Sequence, residues 1–110
     1  MKRFTFVLFL LITPSLAVCG PLWELSAEQW ARPRDGISVS RMTPLPDVVA
    51  GWSSKAGQRL LIRYPGGEDG LLWAHELRSW LVALGIPLQD QELVAGSHQG
   101  DRIELELIAR

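Results

Sequence analysis

Between Gly66 and Pro87 the chain commits itself to an amphipathic helix that ends abruptly. In "GGEDGLLWAHELRSWLVALGIP" the residues Trp73, Leu77, Trp80, Leu81 and Leu84 recur at i, i+4, i+7, i+8 and i+11. That spacing places them along one side of a helix, which must be buried against something. Gly85 can take the left-handed conformation that follows a helix, and Pro87 blocks continuation. Just upstream, "QRLLIRY" sets Leu60, Ile62 and Tyr64 on one side of a strand and Leu61 on the other. It carries enough apolar character for burial on both faces. A strand joined by a short glycine-rich loop to a long helix is the core of an α/β unit.

The flanking segments extend this unit in both directions. "TPLPDVVAGWSS" has Thr43 as a candidate cap, Pro44 at the tolerated first helical position, and Leu45, Val48, Val49 and Trp52 on one face. "ISVSRM" alternates Ile37 and Val39 with Ser38 and Ser40, the period-two pattern of a half-buried strand. Ahead of it, Ser26 and Gln29 have capping-box spacing for a short helix, which Pro33 and Asp35-Gly36 stop. "QELVAGS" reads as a short strand. "DRIELELIA" reads as another, with Ile103, Leu105 and Leu107 inward and Glu104 and Glu106 outward. The last two strands are expected to pair antiparallel across "SHQGD". The resulting order is β-α-β-α-β-β, a single small α/β (α+β) domain with a mixed sheet and two helices. No repeat or linker divides it.

The N-terminus reads as an address. Lys2 and Arg3 precede the apolar run Phe4 to Ile12, then Pro14 and small residues. This is the pattern of a secretory signal peptide, and the run falls short of the roughly 20 apolar residues that span a bilayer. Ser15 and Ala17 fit cleavage after Ala17. The expected organisation is therefore a signal peptide over 1–17, an N-terminal segment with a short helix over 18–35, and the α/β domain over 36–110. "LAVCG" is also close to a lipoprotein pattern, so Cys19 is a candidate for lipidation, and a membrane is a partner only in that case. The expected location is periplasmic or secreted.

Composition excludes several classes. Cys19 is the one cysteine of 110 residues, so no disulfide can staple the domain and packing must hold it. Five tryptophans supply much of that apolar mass; each buries about 150–250 Å². The formal net charge is −1, and loss of Lys2 and Arg3 makes it more negative. Scattered arginines on such a chain argue against a nucleic-acid partner.

Catalytic and metal motifs are likewise lacking. His75-Glu76 does not complete a zinc-protease helix, because Ser79 stands where the second histidine is needed. Cys19 has no scaffold to orient it as a nucleophile. "GGEDG" lacks the Lys-Ser/Thr ending of a phosphate loop. No catalytic residue, metal site or cofactor is expected. The candidate contact surface is the loop-to-helix junction: Gly66, Gly67, Glu68, Asp69 and Trp73. Glu68 and Asp69 are placed to meet the positive end of the helix, and as neighbouring carboxylates they are also candidates for acid/base work or for holding a cation.

The run "QRLLIRYPGG…LLWAHELRSWLVALGIP…ELVAGS…DRIELEL" resembles the C-terminal, peptidoglycan-binding domain of outer-membrane protein A and its relatives. Ala74, Leu77, Leu81, Gly85, Ile86 and Pro87 keep the spacings of that family's helix, and Arg102, Ile103 and Glu104 those of its last strand. The resemblance implies the family's fold. At the functional positions the chain departs from it: the helix arginine that grips diaminopimelate falls at Trp73, and Glu68 or Asp69 is only a loose counterpart of the loop aspartate. An indole cannot make a guanidinium's bidentate pairing with a carboxylate. The pattern "WARPRDG…RYPGGEDG…WAHELRSWLVALGI" also looks like small exported proteins of bacterial integrating conjugative elements. Together these likenesses imply a non-catalytic envelope protein that contacts another envelope protein, or a cell-wall binder with an altered site.

Overall fold

The structure, a computed structural model, describes residues 21–32, 34–53 and 57–109. The signal-peptide reading of 1–17 and the candidate lipidation site Cys19 lie outside these residues. The elements run β1 (Leu22–Ser26), α1 (Ala27–Trp30), α2 (Gly36–Ser40), α3 (Leu45–Ser53), β2 (Gln58–Tyr64), α4 (Glu68–Ala83), a 3-10 turn (Leu88–Asp90), β3 (Gln91–Ala95) and β4 (Arg102–Ala109). The fold is a small mixed α+β domain, and the strands form one sheet in the order β1-β4-β2-β3.

Two elements differ from the sequence reading. "ISVSRM" is not a strand. Asp35 accepts the Ser38 amide at 2.8 Å while the Asp35 amide donates to the Ser38 hydroxyl, also at 2.8 Å, a reciprocal cap that starts α2. The alternation spans too few residues to exclude a helical turn, in which Val39 is buried and Ile37 is left 67% exposed. The first strand lies further upstream, in the segment expected to hold only a short helix. In β1, Trp23 and Leu25 face Leu105 and Ile103 of β4. Ser26 then ends the strand and caps α1, with its capping box to Gln29 as expected.

The pairing of the last two strands also differs. β3 lies parallel to β2, whereas β4 lies antiparallel to both β2 and β1. α4 is the crossover that a parallel β2–β3 pair requires. The 97–101 turn then carries the chain past the end of β2, where the Gly96 and Ser97 amides both donate to the Tyr64 carbonyl (2.8 and 3.1 Å). In its central place β4 offers Ile103, Leu105 and Leu107 to the helices between the apolar residues of β1 and β2.

The helices share one core with that face of the sheet. Leu25, Leu60, Ile62, Ile103, Leu105 and Leu107 pack with Trp30, Val39, Leu45, Val48, Leu77, Leu81 and Ile86. Complete burial of each such aliphatic side chain favours the fold by about 1.5–3 kcal/mol before entropy is counted. In α3, Leu45 and Val48 are buried, with Val49 and Trp52 partly so. In α4 the most buried line is Gly70, Ala74, Leu77 and Leu81, flanked by the partly buried Trp73, Trp80 and Leu84. The helix stops as expected: Gly85 has φ 115°, the Gly85 amide donates to Val82 and the Ile86 amide to Leu81. This is the Schellman arrangement.

The opposite face of the sheet is held by charge. Arg59 pairs with Glu92, Arg63 with Glu106 and Arg102 with Glu24, each tying neighbouring strands. Glu104, expected to point into water, is 4% exposed because the His98 ring and amide fold over it.

Candidate functional site

The junction between β2 and α4 is specified by its glycines, and two of them have structural reasons to be there. Gly67 sits at the helix N-cap with φ 94° and ψ 175°, a conformation reserved for glycine. Gly70 is buried in the first turn, and a Cβ built on it would lie 1.7 Å from the Pro65 carbonyl oxygen. The chain thus folds back across its own helix. Gly66 has open space around the same position and no such requirement. This loop is a tight connection, and Gly67 and Gly70 are required by its path.

Glu68 and Asp69 occupy the first turn of α4 and are exposed, with no side-chain capping bond. They meet the positive end of the helix through its field alone, an effect of about 0.3–1 kcal/mol at an exposed site. Neither has an ion-pair partner among the described residues. Trp73 follows one turn later, partly buried against the core, and its indole N–H is buried without a hydrogen-bond partner. Leu71 and Leu72, beside it on the first turns, are 39% and 66% exposed. Sequence reasoning missed these two. Their signal was present in "DGLLW", two leucines off the buried stripe.

The junction therefore combines two carboxylates, two exposed leucines and an indole on a rigid turn. That set has no nucleophile, no general base oriented by a second group and no paired cation. Among the described residues there is no group of three metal-ligating side chains. His75 is exposed and contacts Arg78 at 3.0 Å. No helix of the described residues is long and apolar enough to cross a membrane.

A second cluster fastens the N-terminal segment to α4. The Arg34 guanidinium lies over the Trp30 indole, 4.5 Å from its centroid, and pairs with Glu76 at 2.9 Å. Arg34 also donates to the Trp30 carbonyl, and the Trp30 N–H reaches Glu76 at 3.4 Å. Its role is structural: it closes α1 onto the helix layer.

Comparison with protein-family models gives no match, and comparison with curated proteins gives none.

Proposed function

We propose that this chain is an exported bacterial envelope protein that works as a non-catalytic interaction module, accessory to a conjugative element, and contacts another envelope protein through the β2–α4 junction. The observation that carries this reading is the pairing of exposed Leu71 and Leu72 with the unpartnered carboxylates of Glu68 and Asp69. Apolar contact flanked by charge is the make-up of a protein-binding patch, and such a patch selects a partner with an apolar centre and basic rim. The rigid turn fixed by Gly67 and Gly70 lowers the ordering cost of binding. The compartment rests on the signal-peptide pattern, and the conjugative setting on sequence resemblance.

The second reading is a cell-wall ligand binder using Glu68, Asp69 and Arg78. It is supported by the strand-helix-strand-strand order of β2, α4, β3 and β4, the order the outer-membrane protein A resemblance implies. Against it, Arg78 lies ten residues beyond Glu68, about 15 Å along the helix, and contacts His75. Sedimentation with purified peptidoglycan separates the two. The first reading expects the protein to stay in the supernatant and to recover a discrete partner from envelope extract, lost on Glu68→Lys with Asp69→Lys. Pelleting that the same two substitutions abolish would establish the second.

A further inference from the structure

We propose that the cleft between α1 and the turn joining α2 to α3 is an anion site, which takes a small carboxylate- or phosphate-bearing molecule on Arg32 and Arg41. The cleft is half open to solvent, has a volume of about 370 Å³ and is lined by Gln29, Arg32, Ser38, Arg41, Met42 and Thr43. That volume suits a small ligand. Apart from Met42 each lining residue carries a polar group, yet more than half of the lining surface is apolar, so the fitting ligand joins an anionic head to a small carbon body.

The charge pattern names its sign. Arg34, Arg59, Arg63 and Arg102 each hold a carboxylate, and Arg78 contacts His75. Arg32 and Arg41 have no carboxylate within ion-pair distance among the described residues, although Glu28 lies one helical turn before Arg32 and Asp35 lies close in sequence. The Asp35 carboxylate is committed to the Ser38 amide. Among the described residues three guanidiniums, those of Arg32, Arg41 and Arg78, have no acidic partner, and two of the three line this one cleft. An anion seated in the cleft is attracted by both guanidiniums. Guanidinium forks match carboxylate and phosphate geometry.

The walls are fixed before any ligand arrives. Gln29 donates to the Thr43 carbonyl at 2.6 Å and accepts from the Ser26 amide at 3.1 Å, which ties α1 to the start of α3. The Arg32 amide donates to Gln29 and the Arg41 amide to Ser38, both at 3.3 Å, so each arginine springs from an anchored backbone. No residue of the β2–α4 junction lines this cleft, and the site is independent of the function proposed above.

The test is an NMR titration of the protein with inorganic phosphate and, separately, with succinate, each against sodium chloride at matched ionic strength. Saturable shifts of the Arg32, Ser38, Arg41 and Thr43 amides with either anion support the site, and the tighter of the two names the preferred group. Arg32→Gln and Arg41→Gln, both at exposed positions, are each expected to weaken binding about tenfold, the loss of one charge-assisted partner. Shifts that chloride reproduces, or binding that both variants retain unchanged, would overturn the proposal.

Discussion

The carbonyl oxygen of Pro65 stands 1.7 Å from where a side chain on Gly70 would begin. The loop and the helix it launches are therefore one packed object, and glycine at position 70 is a steric requirement of that packing. Gly70→Ala must push the backbone of residue 65 aside, and overpacking of this kind costs about 1–3 kcal/mol. Gly66→Ala, with nothing within 4 Å, is expected to change stability by no more than about 0.5 kcal/mol. Urea denaturation of the two variants checks the contrast. Equal effects would mean that the loop does not fold back on the helix.

The cap of α2 gives a dependence on pH. The Asp35 carboxylate is held below its ordinary value of 3.8, chiefly by the Ser38 backbone N–H and then by the Ser38 side chain. A carboxylate depressed in the folded state stabilises the fold above its unfolded pKa and loses that contribution as pH falls through the folded one. Asp35→Asn keeps the capping oxygen without the charge. Wild type is expected to exceed this variant in melting temperature at neutral pH, with the gap closing as pH drops below about 4. A gap independent of pH would contradict the assignment.

Arg34 acts on Trp30 and Glu76 together, so its removal is expected to cost more than an exposed ion pair alone. Arg34→Ala should destabilise by about 1 kcal/mol, from cation–π contact and pairing combined. A double-mutant cycle with Glu76→Gln should return a coupling of about 0.5 kcal/mol. Strict additivity would show that the pair contributes nothing.

Gln91 is buried at the start of β3 and donates to the Ile86 carbonyl at 3.1 Å and the Arg78 carbonyl at 3.4 Å, which ties the strand to the C-terminal half of α4. Gln91→Ala removes the donor from these carbonyls and is expected to cost about 1–3 kcal/mol. Faster hydrogen exchange at Gly85 and Ile86 should accompany it. An unchanged exchange rate there would place the effect elsewhere.

The two larger helices were legible in the sequence because each repeats an apolar spacing over several turns and Gly85 marks an end. β2 and β4 were legible by alternation, and β3 only as a short strand ahead of the "SHQGD" turn. α2 was not, because Ile37 and Val39 fit either period over so short a stretch, and the decisive feature was the Asp35–Ser38 cap. β1 is not legible in "PLWELS", because the strand is five residues long with only Trp23 and Leu25 inward, and its last residue, Ser26, is also the cap of α1. Strand pairing was misread since adjacency in sequence says nothing about a strand inserting between two others. At the junction, Gly66, Gly67, Glu68, Asp69 and Trp73 were named, and Gly70 was not singled out. The roles of Gly67 and Gly70 became visible only with backbone angles and the position of the Pro65 carbonyl. The Arg32–Arg41 cleft gathers residues from three short elements and left no local pattern to read.

Site-specific photo-crosslinking from position 72, in cells that make the protein, tests the interaction surface most directly. The account predicts one discrete protein adduct at Leu72, lost when Glu68 and Asp69 are both changed to lysine while the fold is retained. No adduct, or one indifferent to that charge reversal, would contradict it.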